Sequence, residues 1–303
     1  MEWIIGIQNA INYIENHLTE ELDYEQIAKE SFSSSFHFQR VFSILCGYTL
    51  GEYIRNRRLT LAGAELANTR EKVIDVAYKY GYDSPESFAK AFQKVHGITP
   101  SQARGSGVML KSFSRLSIKV SLEGGSIMNY RIEEKPGMIL TGFKKRFIGN
   151  PENMNLQDHE FATTTRLKQY ILEGLAHDCD NSYTVITNFG PDGYDYYIAA
   201  KLCEASRRDM AEEIGKDIAA WYEDISIPAG LYLVCETERC KYPVNEIDGL
   251  RKQAVSEWLP TSGYELRDAP EIGVIHWYWE EGNEKLNSSR YCEVWLPIVK
   301  KEV

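Results

Sequence analysis

The chain has 303 residues, 43% of them hydrophobic, which is room and apolar content enough for two ordinary domains, and its formal net charge is -10. No run approaches the roughly 18 consecutive apolar residues of a membrane span, no basic stretch precedes an apolar one at the N-terminus, and the six scattered cysteines show no CxxC pair or zinc spacing. These features argue against a membrane partner, a signal peptide, a disulfide framework and a metal site, and no cofactor loop is evident; the chain reads as a cytoplasmic protein with reduced thiols.

In chain order, Trp3, Ile7, Ile11, Ile14 and Leu18 fall at helical spacing and predict an amphipathic first helix. Asp23 and Gln26 have the spacing of a capping box ahead of Ile27 and Ala28. A later helix buries Phe38, Val41, Phe42 and Leu45 and turns Ser35, Phe36, Gln39, Arg40 and Ser43 outward. Tyr53, Ile54, Leu61 and Leu66 mark a long helix. The pattern then returns, with Phe88, Phe92 and Gly97 echoing Phe38, Phe42 and Gly47. In this second copy Val73, Val76 and Ala77 make a short helix that ends at Gly81. Asp83 or Ser84 caps the next helix, Pro85 takes its first turn, and Phe88, Ala91, Phe92 and Val95 face inward. Glu86, Ala89, Lys90 and Gln93 face out, and a last helix runs to Arg104. Seven helices make residues 1–104 an all-α domain with two helix-turn-helix units, which implies DNA binding.

The run Phe36-His37-Phe38-Gln39-Arg40-Val41-Phe42, then Gly51-Glu52-Tyr53-Ile54-Arg55 with Arg57-Arg58-Leu59, then Ile74-Asp75-Val76-Ala77, Gly81-Tyr82, Phe88, Ala91-Phe92, Gly97 and Pro100 resembles the AraC/XylS DNA-binding domain. One departure is Phe32, where that family often has glycine in the first unit's turn. The resemblance implies two recognition helices in successive major grooves of double-stranded DNA, with no need for a dimer. It makes Phe36, Gln39 and Arg40 base-facing in the first helix and Glu86, Ser87 and Lys90 in the second. Arg40 pairs with guanine in such a reading, Gln39 with adenine, and Phe36 with thymine methyls. Glu86 is read equally as a cytosine contact or as a first-turn acid favoured by the helix dipole. Ser35 and Lys94 flank these sets.

Residues 1–127 hold 14 basic and 14 acidic side chains, and residues 128–303 hold 20 and 30, so all the excess acid lies in the C-terminal part. A neutral DNA-binding segment has to sort its charges by face, with Arg40, Arg55, Arg57, Arg58, Lys90 and Lys94 as candidates for the DNA side. Residues 105–127 read as a linker between Gly105-Ser106-Gly107 and Gly124-Gly125-Ser126. The alternation of Leu116, Ile118, Val120 and Leu122 suggests a strand within it.

Residues 128–303 then alternate between strand and helix patterns. Strands are predicted at Tyr130–Glu134, Met138–Ile148, Tyr183–Phe189, Tyr196–Cys203, Gly230–Thr237, Ile272–Trp279 and Arg290–Val299, and helices at Phe161–Ala176, Arg207–Ile218 and Asn245–Trp258. This is an α+β domain of two tandem β-α-β-β units. In the last strand Cys292, Val294 and Leu296 point one way, towards a core, and Tyr291, Glu293 and Trp295 the other. Two rings beside a carboxylate suit a lipophilic cation, although the same residues also suit an ordinary core with a solvated glutamate. Trp277 and Trp279 share a face of the neighbouring strand.

Met128-Asn129-Tyr130-Arg131-Ile132-Glu133 with Pro136, Ile227-Pro228-Ala229-Gly230, Glu257-Trp258-Leu259-Pro260 with Gly263-Tyr264-Glu265-Leu266, and Cys292-Glu293-Val294-Trp295-Leu296-Pro297 resemble the GyrI-like effector-binding domain. That resemblance implies that Glu293 is the ligand-contacting acid, with Tyr291, Trp295, Trp258, Trp277 and Trp279 as candidate lining. The two halves together resemble a Rob-type AraC-family regulator. The expected function is a transcriptional activator that binds DNA, takes a small hydrophobic cation as effector and contacts RNA polymerase. The alternative is a GyrI-like hydrolase of reactive small molecules fused to a DNA-binding domain, and a third reading makes the C-terminal domain a protein-contact module.

Overall fold

The computed structural model describes residues 2–105, 107–118, 127–148, 154–176, 181–278 and 283–301. The helical periodicity of the first hundred residues becomes six α-helices: α1 (Glu2–Asn16), α2 (Tyr24–Glu30), α3 (Ser35–Cys46), α4 (Leu50–Asn68), α5 (Val73–Lys79) and α6 (Pro85–His96). The seventh expected helix is a 3-10 turn, Gln102–Arg104. Ile7, Ile11, Ile14 and Leu18 are buried as their spacing requires, the side chain of Trp3 lies outside the described ones, and Leu45 is only half-buried.

Local chemistry sets the boundaries. Asp23 caps α2 by accepting from the Glu25 amide at 2.9 Å, but Gln26 turns to Glu30 at 3.0 Å, so the reciprocal half of the expected capping box is not made. Ser84 accepts from the Ser87 amide at 3.1 Å, Pro85 opens α6, and Gly97 closes it at φ 79°. The turn of the second helix-turn-helix unit is made by Gly81 at φ 76°, and that of the first by Phe32 at φ 56° with 86% of the residue exposed. Leu59, Ala62 and Leu66 of α4 pack against Val76, Ala77, Phe88 and Phe92.

Residues 108–118, where a strand was expected from Leu116 and Ile118, form none; Val120, Leu122 and the Gly124-Gly125-Ser126 break lie outside the described residues. The segment is instead tied to the helices through its backbone. The Phe113 amide donates to Thr60 Oγ1 at 2.9 Å, the Leu116 amide to the Tyr53 hydroxyl at 3.2 Å, and the Lys111 amide to His96 Nδ1 at 3.2 Å.

The chain divides into two compact units, Met1–Phe42 with Tyr48–Glu123, and Gly124–Val303 with Ser43–Gly47. The second unit carries β1 (Asn129–Lys135), β2 (Met138–Ile148), α7 (Met154–Thr164), α8 (Arg166–Leu175), β3 (Asn181–Gly190), β4 (Gly193–Ala200), α9 (Glu204–Ile214), α10 (Lys216–Ala219), β5 (Glu223–Ile227), β6 (Gly230–Glu236), α11 (Ile247–Gln253), β7 (Tyr264–Leu266), β8 (Glu271–His276), α12 (Glu284–Asn287) and β9 (Tyr291–Lys300). The described strands form one antiparallel sheet in the order β1-β6-β9-β8-β3-β4-β2-β5, with β7 added beside β9.

The two β-α-β-β units are present as β2-α7-α8-β3-β4 and β6-α11-β8-β9, joined where β3 meets β8. Each receives an edge strand from the other's side of the sequence, since β1 pairs with β6 and β5 with β2. The helix expected at Phe161–Ala176 is two helices broken at Thr165, and β5 and β7 have no counterpart among the predicted strands. One face of the sheet is covered by helices, with Phe161 of α7 and Leu172 of α8 packed with Phe143, Phe147 and Tyr196; the opposite face gathers Tyr183, Val185, Tyr197, Tyr232, Val234 and Ile272. The unit is an α+β fold. No helix among the described residues is long and apolar enough to cross a membrane.

Candidate functional site

In α6 the inward stripe of Phe88 and Phe92 leaves Glu86, Ser87, Lys90 and Lys94 exposed, as helical spacing predicts. In α3 the expected outward face is less open. Ser35, Phe36 and Gln39 are half-buried, and Gln39 Nε2 donates to Ser35 Oγ at 3.1 Å. Arg40 is a correction: it is 1% exposed, with its guanidinium carbon 5.8 Å from the Phe36 ring centre, and Ser43 is buried as well.

The other candidate DNA-side charges separate by role. Arg57 makes two bonds of 2.8 Å to Glu15 and donates to the Phe113 carbonyl, while the Tyr53 hydroxyl donates to the same Glu15 at 2.7 Å. Burial opposes the Glu15 charge, but the Arg57 and Tyr53 bonds outweigh it and hold the carboxyl below its usual range. Arg58 donates to the carbonyls of Leu18 at 2.8 Å and Glu20 at 2.6 Å. Arg57 and Arg58 are thus structural ties, and Arg55, Lys90 and Lys94 are the exposed cations of this set.

In the second unit β9 lies between β6 and β8, so its Glu293 sits in the interior of the sheet and is 6% exposed. Glu293 accepts from Arg131 Nη2 at 2.8 Å and from Trp295 Nε1 at 2.6 Å. Arg131 comes from β1, whose register places it opposite Val234, which in turn faces Trp295. Arg131 also bonds Glu133 at 3.0 Å and pairs with Glu236. Burial works against the Arg131 charge, yet the bonds to Glu293 and Glu133 outweigh it and hold the guanidinium above its ordinary value.

The rings beside the acid are already in contact with cations of the chain. Lys135 Nζ lies 4.1 Å from the Trp295 ring centre and the Arg239 guanidinium 4.0 Å from that of Tyr291. His276 stacks on Tyr291 at 4.1 Å, with Nε2 3.9 Å from Glu293. Burial, with Tyr278 and Glu293 adding, pushes the Tyr291 hydroxyl up to about 12.

The structure therefore brings Glu293, Trp295 and Tyr291 together and adds Arg131, Lys135 and His276, which sequence reasoning did not single out for the site. Alternation along β1 puts Arg131, Glu133 and Lys135 on one face, but only the β1–β6–β9 register shows which face that is. The remaining tryptophans do not join them. Trp277 donates to Ser182 Oγ at 2.8 Å and lines, with Ile275 and Val294, the helix-covered side of the sheet. Trp258 packs on Tyr130 and Tyr264, at 5.4 and 5.9 Å, over that same side. Trp279 lies outside the described residues.

Comparison with known proteins agrees with this division. A helix-turn-helix domain family matches residues 27–106, and the family of integron-associated effector binding proteins matches residues 131–298. The HTH-type transcriptional activator AarP of Providencia stuartii is 43% identical over 115 residues, which is 38% of this chain and 85% of that protein. The regulatory protein SoxS of Salmonella typhimurium is 40% identical over 98 residues, 32% of this chain and 92% of its own. Among solved structures, an integron cassette protein of Vibrio cholerae aligns with 56% of this chain and 95% of its own at 15% identity and a TM-score of 0.39.

Proposed function

Because the chain belongs to the AraC-type helix-turn-helix regulators, with an integron-associated effector binding domain as its second half, we propose that it activates transcription in response to a small lipophilic cation received at Glu293. The observation that carries this reading is the set of cations already drawn to that face. Arg131 takes the carboxylate and Lys135 the Trp295 ring, so a buried carboxylate and a ring face hold positive charge there. An incoming cation exchanges with Arg131, which keeps Glu133 and Glu236 as partners at the sheet edge. Such exchange shifts the protein only in so far as the effector prefers the released arrangement of β1, the first strand after the DNA-binding half.

On the DNA side, Glu86, Ser87, Lys90 and Lys94 of α6 and Ser35, Phe36, Gln39 and Arg40 of α3 are the proposed contacts, with the two helices reading successive major grooves. Arg40 has to leave its buried position to reach a base. RNA polymerase is the further proposed partner, the cytoplasm the place of action, and the effector leaves chemically unchanged, so the protein is a sensor rather than an enzyme.

Titration with tetraphenylphosphonium, followed by tryptophan fluorescence and then by operator affinity, tests the reading. Saturable quenching that Glu293→Gln abolishes, together with a change in DNA affinity, is the expected result. Absence of saturable binding, or a response indifferent to Glu293→Gln, overturns it.

A further inference from the structure

The two helix-turn-helix units are joined by α4, and what α4 grips on either side decides how their recognition helices are set apart. Its Leu59, Ala62 and Leu66 pack against Val76 and Ala77 of α5 and Phe88 and Phe92 of α6. Its Tyr53 and Arg57 bond to Glu15 of α1. Each of those contacts ties α4 to one unit. Arg58, the next residue of α4, reaches both.

On the side of the first unit, Arg58 Nε donates to the Leu18 carbonyl at 2.8 Å and Nη2 to the Glu20 carbonyl at 2.6 Å, both in the turn that leads into α2. The remaining nitrogen, Nη1, lies against Gly81 in the turn of the second unit. A Cβ built on Gly81 would stand 2.5 Å from Nη1 and 3.1 Å from Cζ. Glycine is thus required there twice, for its φ of 76° and for the missing side chain whose place the guanidinium takes. Burial lowers the Arg58 guanidinium below its ordinary value, while Tyr24 at the start of α2 and Tyr82 beside Gly81, one from each unit, favour its charge. Tyr82 in turn packs edge-on against Phe88 at 5.2 Å, which carries the position of the turn to α6.

We propose that Arg58 is the positioning residue that sets the distance and angle between α3 and α6, and with them the half-site spacing the protein accepts on DNA. The inference rests on the reading in which the two helices enter successive major grooves, about 34 Å or one helical turn apart. One inserted base pair moves the second half-site by about 3.4 Å and about 35° around the duplex, a displacement that two helices held in one geometry do not follow. A guanidinium suits the task because two of its nitrogens are held by carbonyls in a fixed fork while the third packs on Gly81; a lysine ammonium has no such planar fork. Without Arg58 each unit keeps its own core, Phe38 and Phe42 in one and Phe88 and Phe92 in the other, and the angle between them is released.

Sites selected by the full chain from random duplexes supply the probe. Affinity is then measured at low salt for the selected site, for versions with one base pair added or removed between its halves, and for each half alone. The wild-type chain should lose roughly tenfold or more on either change of spacing, as for the loss of a base contact. Arg58→Ala should bind the selected site more weakly, the shifted sites nearly as well as the selected one, and each half alone as the wild type does. Arg58→Lys, which keeps the stem and the charge, should fall between the two. Should Arg58→Ala fold poorly by circular dichroism, the lysine variant decides in its place, and its ratio between selected and shifted sites has to fall. A wild-type ratio in the variants overturns the proposal, as does an equal loss on every probe including the single halves, which marks a purely structural role. Selected sites with only one half, or wild-type binding indifferent to spacing, overturn the two-groove reading and the proposal with it.

Discussion

Phe32→Gly should stabilise the first helix-turn-helix unit. Phe32 holds φ 56° in the turn between α2 and α3, the conformation that Gly81 adopts at φ 76° in the second unit. A side chain in the left-handed region costs about 1–2 kcal/mol. With 86% of the residue exposed, the Phe32 ring recovers little of this by burial. Glycine removes the clash and returns about 0.4–1 kcal/mol as extra freedom of the unfolded chain, so the net gain is roughly 0.5–1 kcal/mol. Amide exchange of α2 and α3 in the full chain reads this locally, and protection there should rise roughly two- to fivefold while α9 is unaffected. Unchanged or lower protection would refute the strain argument and mean that the ring packs in solution. Greater protection accompanied by weaker operator binding would show that the strained ring is kept for a contact with DNA or a partner.

Arg131→Gln removes the guanidinium that competes for Glu293; a bond to a charged group is worth about 1.5–3 kcal/mol, so tetraphenylphosphonium should bind roughly tenfold tighter or more, and equal or weaker binding contradicts the exchange. Lys90→Ala should lower affinity evenly across DNA sequences and reduce the salt slope by about 1 if Lys90 meets phosphate, whereas loss confined to the operator makes it a base reader. Glu15→Ala leaves Arg57 and Tyr53 without their shared acceptor and should cost about 3 kcal/mol in a urea melt of the helical unit. The same unit should weaken in acid in two stages. His96, lowered first by burial and then by Lys111, accepts the Lys111 amide only when neutral, so its contribution is full above about pH 6.5 and is lost as pH falls through its depressed value. Glu15, also depressed, contributes above about pH 4.3 and loses that contribution below it. Exchange protection of residues 108–118 should therefore begin to fall below about pH 6.5, and a flat profile to pH 5 contradicts the role given to His96.

The helical half was legible because its signals are local. Phe88 and Phe92 set a face by spacing alone, and Ser84, Pro85 and Gly97 mark the ends of α6 by chemistry that acts within one turn. Arg40 escaped the same logic, since helical spacing gives direction but not whether that direction is open. In the C-terminal half alternation within β9 assigned Glu293 and Val294 to opposite sides correctly. Parity within one strand says nothing of the next, however, and the pairing of Gly273 with Val294 is what sends Trp277 away from Glu293. Arg131 was hidden for the same reason, because its meeting with Glu293 depends on two successive strand registers. β5 and β7, of five and three residues, are too short to carry a pattern of their own.

The exchange of edge strands between the two halves of the sheet also orders events in time. Arg131 and Glu293 are 162 positions apart, so at a synthesis rate of about 5–20 residues per second the arginine leaves the ribosome roughly 8–30 s before its carboxylate exists. Over that interval β1 has no strand to join until β6 emerges, while α1 to α6, built from near neighbours, are free to form. A chain that stops between α6 and β9 would carry both helix-turn-helix units and lack Glu293. Nascent or truncated copies of that length would thus carry the helical unit without the Arg131–Glu293 pair, which only a chain extended through β9 can form.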